Sequence, residues 1–362
     1  MDAIAFENVD VVFGSPAARR AAFELLDAGA DRNTVLQRTG AVVAVRDATL
    51  CIDRGEICVL MGLSGSGKSS LLRCVNGLNR VARGRVLVGG RADGGPVDAE
   101  EAPIDVAACD AATLRRLRTG RIAMVFQQFA LMPWRTVREN VGLGLELRGL
   151  GRADRDRLVD EKLALVRLEQ WADKRPHELS GGMQQRVGLA RALATDADIL
   201  LMDEPFSALD PLIRGHLQDE LLELQRTLRK TILFVSHDLD EALKLGTHIA
   251  IMEGGRIIQY GRPETIVTRP ATDYVEAFVA NVNPLNVLCA ASLMRRPRPG
   301  EAADLERIRD RAVGPDTPMR ELAALARSRG GPFPVVDAGG TVLGVVGEAE
   351  LWDGLLRRRA GD

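Results

Sequence analysis

Apolar residues recur along the chain in two rhythms. Short runs bounded by charge or glycine predict strands: residues 1–13 ending in VVFG, then VVAVRDATLCI, EICVLMG and, after a long polar stretch, RIAMVFQ. DILLMDEP and TILFVSHD are short, apolar and rich in β-branched residues, the pattern of strands buried in a parallel sheet. Between these runs the spacing turns helical. Residues 16–38 break the first strand pattern and carry Phe23, Leu25, Leu26, Val35 and Leu36 on apolar faces, which predicts one or two short helices. Further helices are predicted from Lys68 to about Leu78, over most of 152–194, and at about 212–229. Strands alternating with helices predict an α/β fold with a parallel or mixed sheet.

Two stretches depart from this alternation. Residues 91–112 are polar and alanine-rich, with Asp98, Glu100, Glu101, Asp105 and Asp110, and predict a surface loop. Residues 295–320 are charged and proline-containing and predict a linker with one partly ordered strand. Beyond it MRELAALARS predicts a helix, FPVVDAGGTVLGVV a strand–turn–strand and EAELWDGLLRRR a closing helix, a small α/β module of its own.

Composition narrows the function classes. The 362 residues suffice for two or three domains. Lys and Arg number 48 against 50 Asp and Glu, so no general field draws the chain to nucleic acid or anionic lipid. The five cysteines are odd in number and form no CxxC pair, which argues for reduced thiols in a cytosolic compartment and against a disulfide framework or zinc site. No basic segment followed by an apolar core marks the N-terminus as a secretory signal, and no run approaches ~18 apolar residues. The chain is expected not to span a membrane, although a partner can hold it at one.

The chemistry concentrates in a few places. GLSGSGKSS, Gly62 to Ser70, fits G-x-x-x-x-G-K-[ST] between a predicted strand and a predicted helix. Gly62, Gly65 and Gly67 let the backbone wrap phosphate oxygens, with Ser64, Ser66 and Ser70 in the same loop and helix start. Lys68 is expected to reach the β- and γ-phosphates and Ser69 to ligate Mg²⁺. At the end of ILLMDEP, Asp203 is the candidate metal carboxylate and Glu204 the candidate general base. His237 ends the next buried strand, and Gln127 ends AMVFQ. Each is ambiguous alone. As a set they are candidates for contact with the γ-phosphate, the attacking water and, for Gln127, the metal. LSGGMQQR adds a second glycine pair at a helix start, with Ser180 as its cap and Gly181 and Gly182 suited to another dense negative charge.

Taken in order and spacing, GLSGSGKSS, VFQQ, LSGGMQQR, ILLMDEP, SALD and VSHD resemble the motifs of ATP-binding cassette (ABC) ATPases, over about residues 4–280. That resemblance implies a P-loop ABC cassette at 1–280, a mixed sheet core with a helical signature subdomain at about 130–194. It implies ATP and Mg²⁺ as ligands. It also implies a second copy of the chain as partner, with each signature (Ser180, Gly181, Gly182, Gln184) capping the nucleotide of the other cassette and Asp210 at the seam. An adenine-stacking aromatic is expected near the phosphate loop. Phe13 is the candidate, with Thr39 beside Gly40 at the end of the insert, and a core phenylalanine is the alternative.

More narrowly, VLMGLSGSGKSSLLRCVNGLN, FALMPWRTVRENVGLGLELRG, LLDAGADRNTVLQRTG within the 16–38 insert and ATDYVEAFVANVNPLNVL resemble ATPase subunits of importers for glycine betaine, proline betaine and choline. The loop PVDAEEAPIDVAACDAATLRRLR is nearest the choline branch. The implied partners are permease subunits, whose short helix would enter a groove at Leu131, Met132, Pro133 and Trp134, and indirectly an extracytoplasmic binding protein. Local packing is the other reading of that patch. The implied location is the cytoplasmic face of the bacterial inner membrane. An importer for an amino acid or sulfonate, or a soluble non-transport ABC ATPase, stands as the alternative. Long coiled coils, zinc modules, a second motif set and fused membrane helices, which mark other branches, are lacking. The tail, with a linker at 281–315, resembles a single CBS module at 316–362, which would pair across a dimer and either sense a ligand or serve dimerisation.

Overall fold

The computed structural model describes residues 2–89, 102–127, 130–207, 209–298, 301, 305 and 307–356. The chain divides into two compact units, Met1–Asp238 with Leu245–Tyr260, and Leu239–Lys244 with Gly261–Asp362.

The first unit holds two sheets. β1 (Asp2–Phe13) pairs antiparallel with β2 (Val42–Asp53) and with β4 (Arg83–Val88), and β4 pairs antiparallel with β5 (Ile104–Asp105). The other sheet has the order β10-β9-β3-β8-β7-β6, with β3 (Ile57–Met61), β6 (Ile122–Val125), β7 (Ile199–Asp203), β8 (Thr231–Val235) and β9 (His248–Glu253) running parallel, and β10 (Arg256–Gly261) at the edge. Every residue of β3, β7 and β8 is buried, which is why these segments read as unbroken apolar runs. One core joins both sheets. Ile4, Phe6, Leu50 and Ile52 of the antiparallel sheet meet Cys58, Leu60, Leu201 and Leu233 of the parallel one, with Leu71, Leu72 and Val75 from α3 (Lys68–Val75).

The predicted insert is a helical arm. α1 (Pro16–Asp27) is capped by Ser15 and α2 (Arg32–Thr39) by Asp31. Ala22, Leu26 and Val35 pack with Val12, Ala41 and Val43, so the arm closes a small core over the ends of β1 and β2. A bidentate Arg83–Asp27 pair at 2.6 and 2.8 Å ties it to β4.

The expected surface loop is partly ordered structure. Asp98, Glu100 and Glu101 lie outside the described residues. Asp105 closes β5, and Asp110 caps α4 (Ala111–Arg116). The predicted helix from Lys68 stops at Val75, because Asn76 and the left-handed Gly77 (φ 65°) end it before Leu78. The helical subdomain is α5 (Val137–Leu147), α6 (Arg152–Leu165) and α7 (Gly181–Ala194), packed on one another, followed by α8 (Pro211–Leu228) after β7. No helix among the described residues is long and apolar enough to cross a membrane. The five cysteines are free, and burial pushes the Cys74 thiol up to about 12.

The second unit takes in α9 (Leu239–Leu245) apart from its last residue and resumes at Gly261, ahead of the expected boundary at 280. It continues through α10 (Pro263–Thr268) and α11 (Asp273–Val279). The expected linker at 281–315 is corrected here. Leu288, Leu293 and Val313 share one core with Met319, Leu322, Phe333, Val335, Val346 and Leu351, and a short helix, α12 (Ala290–Leu293), forms within it. The flanking arginines and prolines mask these isolated apolar anchors in the sequence. The predicted secondary-structure elements of the tail form: helix Met319–Arg329, an antiparallel hairpin of β11 (Phe333–Val336) and β12 (Val342–Val346), and helix Glu348–Leu356. Val313 bridges Val335 in parallel, which brings the supposed linker to the hairpin.

Candidate active site

Adjacent parallel strands β3, β8, β7 and β6 deliver the predicted chemistry at their carboxyl ends, where sheets of this kind gather ligands. The loop after β3 runs Gly62–Gly67 into α3. Gly67, at φ 102°, is the cap of that helix, and a Cβ there would run into the Ala44 carbonyl. Gly62, at φ 138°, lies as close to the Met252 carbonyl of β9. Leu63, Ser64 and Gly65 form the exposed part of the loop, whereas Ser66 and Lys68 are buried. Ser66 Oγ has no hydrogen-bond partner although the residue is 5% exposed. An orphaned buried hydroxyl in a glycine cradle is what a phosphate oxygen would satisfy. Lys68 Nζ meanwhile donates to the Gly62 and Leu63 carbonyls at 2.7 and 3.0 Å. Burial draws its ammonium below the ordinary lysine range, with Glu204 and Asp203 pulling the other way.

These contacts make Gly62→Ala a sharp test of the cradle. The collision is with backbone and the conformation is left-handed, so neither can relax cheaply. The expected cost is about 2–4 kcal/mol, a fall of roughly 5–15 °C in Tm, read by calorimetry. An unchanged Tm would mean that the loop does not pack on β9 as described.

Asp203 ends β7 and is 1% exposed. Its Oδ1 accepts from Ser69 Oγ at 2.7 Å, and its Oδ2 accepts from Arg73 Nε and Nη2 at 3.1 and 2.8 Å. Ser69 and Arg73 are i and i+4 on α3, so one face of that helix presents both to the carboxylate. That spacing was the available signal for Arg73, and sequence reasoning passed over it. Ser70 sits in the same first turn, its carbonyl accepting from Asn79 at 3.1 Å.

Glu204 turns the chain out of the strand in a left-handed conformation, φ 45°, a strained state for a non-glycine residue and typical of functional positions. Its N–H donates to the Val235 carbonyl at 3.1 Å, and its carbonyl accepts from Ser207 Oγ at 3.0 Å, which hold that conformation. The reversal sends its side chain away from Asp203 toward β6 and β8. Glu204 Oε2 accepts from Gln127 Nε2 at 3.1 Å and lies 3.4 Å from His237 Nδ1. The predicted Gln127, Glu204 and His237 therefore meet, while Gln127 touches Glu204 and not Asp203. An Arg214–Asp238 pair at 2.9 Å buttresses the turn after His237 and carried no signal in the sequence.

Four strands thus end around one glycine-rich loop with two carboxylates, Asp203 and Glu204, beside it, the plan of a P-loop ATPase. Comparison with known proteins narrows the class. The family described as ABC transporter matches residues 45–207. The glycine betaine/proline betaine transport ATP-binding protein ProV of Escherichia coli (strain K12) is 47% identical over 290 residues, 80% of this chain and 69% of that protein. The glycine betaine/carnitine transport ATP-binding protein GbuA of Listeria monocytogenes is 43% identical over 316 residues, covering 86% and 76%. The dimeric, ADP- and Pi-bound structure of the cassette MJ0796 superposes with a TM-score of 0.57 at 29% identity, over 72% of this chain and 98% of that one. The chain belongs to the ATP-binding proteins of ABC transporters. It is an ATP-hydrolysing transport subunit, of a family whose cassettes dimerise and work with permease components.

The remaining predicted residues lie apart from the cradle. Ser180 caps α7 through Met183 N–H at 3.4 Å, and Gly181 beside it is exposed with open space around its Cα. Gln184 is turned back, donating to the Pro176 and Leu179 carbonyls at 3.0 and 3.2 Å, so it shapes the loop before the helix. Among the described residues no hydrogen bond or ion pair joins the signature to the phosphate loop of its own chain. Asp210 is exposed immediately before α8. Phe13 is 43% exposed and opposite Val42, two residues from the Ala44 that abuts Gly67, whereas Thr39 is occupied in closing α2 through the Val35 carbonyl.

Proposed function

We propose that this chain energises an importer of quaternary ammonium solutes such as glycine betaine or choline, as one of two like copies that clamp ATP between them. The observation that carries the ATPase half of this reading is the meeting of Gln127, Glu204 and His237 beside the phosphate loop. In this reading Lys68 and the loop N–H groups hold the β- and γ-phosphates, Glu204 takes the proton of the attacking water, and Gln127 and His237 orient carboxylate and phosphate. Phe13, a solvent-facing ring near the loop, is the adenine platform. Ser69, Asp203 and Gln127 offer the hard oxygen donors that suit Mg²⁺, and Asp203 already attracts the Arg73 guanidinium, a site made for positive charge. When bound, the metal neutralises charge developing on the phosphates.

The signature of one copy closes the site of the other. Ser180 and Gly181 head an exposed helix N-terminus, which suits a γ-phosphate presented from outside the chain. Closure reaches the permease through the segment around Trp134. Asn140, fully buried, accepts from the Met132 N–H at 2.8 Å and donates to the Met132, Arg135 and Thr136 carbonyls, which fixes that loop while Trp134 stands 70% exposed. In this reading the chain works at the cytoplasmic face of the membrane, and the tail module pairs with its copy in the second subunit.

The solute is tested in liposomes containing this chain with the permease and binding protein of its own system. Glycine betaine or choline is expected to raise ATP turnover several-fold, and methionine or a sulfonate to leave it unchanged. The reverse pattern moves the assignment to amino-acid or sulfonate import.

A further inference from the structure

A residue outside every motif touches the phosphate loop. Arg32, the first residue of α2 in the arm, places Nη1 and Nη2 at 3.3 and 3.2 Å from the Gly65 carbonyl oxygen. Gly65 is in the exposed part of the loop, in a left-handed conformation with φ 77°. Without a side chain it has wide conformational freedom of its own. The peptide it shares with Ser66 is planar, so holding its C=O also sets the direction of the Ser66 N–H on the other side. That N–H donates to the Leu63 carbonyl at 3.1 Å and closes the turn at the loop tip.

The guanidinium comes from a fixed base. Asp31 accepts from the Asn33 and Thr34 N–H groups at 2.8 and 2.9 Å. Val35 is fully buried in the arm core. Arg46 of β2 donates to the Ala30 and Leu26 carbonyls at 3.0 and 3.1 Å, clamping the connection between the two helices immediately before Arg32. The bidentate Arg83–Asp27 pair holds the end of α1. Among the described residues no carboxylate competes for Arg32, so its charge is directed to the loop.

We propose that Arg32 is a positioning residue for the phosphate loop, and that through it the helical arm sets nucleotide affinity. The proposal rests on the reading that this loop holds ATP. Arg32 acts on the loop through a carbonyl, so it takes up none of the loop's N–H groups.

The test measures Kd for ATP and ADP with a fluorescent nucleotide analogue, KM and kcat for ATP, and Tm, on full-length Arg32→Ala, Arg32→Lys and Lys68→Ala. Arg32→Ala is expected to raise Kd and KM together by roughly five- to tenfold, the size of one partly exposed charge-assisted hydrogen bond, with kcat changed less than about twofold. Arg32→Lys recovers part of the affinity, because an ammonium can hold the same carbonyl through one bond. Wild-type Kd and KM in Arg32→Ala overturn the proposal. So does a fall in Tm and kcat with Kd unchanged, which would make Arg32 a structural anchor of the arm only. Lys68→Ala separates the two levels: if it too binds ATP normally, the reading of the loop itself fails.

Discussion

Glu204→Gln is expected to lower steady-state ATP turnover by roughly 100- to 10,000-fold, the contribution of a positioned general base, while leaving ATP binding within about twofold. The substitution keeps the size and both polar atoms of the side chain. It keeps the left-handed backbone, because the hydrogen bonds that hold it use main-chain atoms of residue 204: its N–H donates to the Val235 carbonyl and its carbonyl accepts from Ser207 Oγ. The amide oxygen of the introduced Gln can take the place of Oε2 and still accept from Gln127 Nε2, so the wall of the site stands. What disappears is the capacity to take a proton. Because ATP is bound but not cleaved, the variant is also expected to accumulate as an ATP-bound dimer in size-exclusion chromatography. Turnover near the wild-type rate would remove Glu204 from the base role and shift attention to His237, which faces the same oxygen.

The legibility of this site had a physical limit. Motif residues at strand ends were readable because a parallel strand buried on both faces has one place to put polar chemistry, its carboxyl end. ILLMDEP and TILFVSHD state that placement directly. The phosphate loop was readable because its glycines answer to backbone contacts: Gly62 against Met252 and Gly67 against Ala44 admit no Cβ. Arg73 and Arg32 were not read. Arginines are common on exposed helix faces: the i, i+4 spacing from Ser69 is the one local hint that Arg73 meets Asp203, and nothing local to ADRNT says that the Arg32 guanidinium meets the Gly65 carbonyl. Those contacts depend on tertiary placement. The same holds for the tail, where Leu288, Leu293 and Val313 are spaced too widely to show a period and reveal themselves only as parts of a shared core. Gln184 carries a further placement that the motif does not state: its amide nitrogen donates to two carbonyls of its own loop.

Ser180→Arg is expected to abolish turnover, by more than about a hundredfold, while the isolated chain binds ATP as before. The two halves of that statement have separate causes. Ser180 shares no hydrogen bond or ion pair with Lys68, Ser69 or Asp203 of its own chain, so the cradle keeps its contacts. Losing the cap on Met183 N–H costs the helix about 1 kcal/mol, too little to unfold a well-packed α7 that buries Val187, Leu189, Ala190 and Leu193. The damage falls on what comes from outside. Gly181 is open to solvent, and a long guanidinium side chain at this helix start fills the space where a second copy would seat its nucleotide. ATP-dependent dimerisation, measured by light scattering, should vanish with turnover. Mixing decides whether the two half-sites belong to different chains. Ser180→Arg supplies an intact phosphate loop and Lys68→Ala an intact signature, so a heterodimer of the two rebuilds one complete site if the signature acts across the interface. Turnover in the mixture should then exceed the sum of the two variants measured alone. If both variants are dead and the mixture stays dead, or if Ser180→Arg loses ATP binding as a monomer, the signature serves its own chain and the two-copy clamp is wrong.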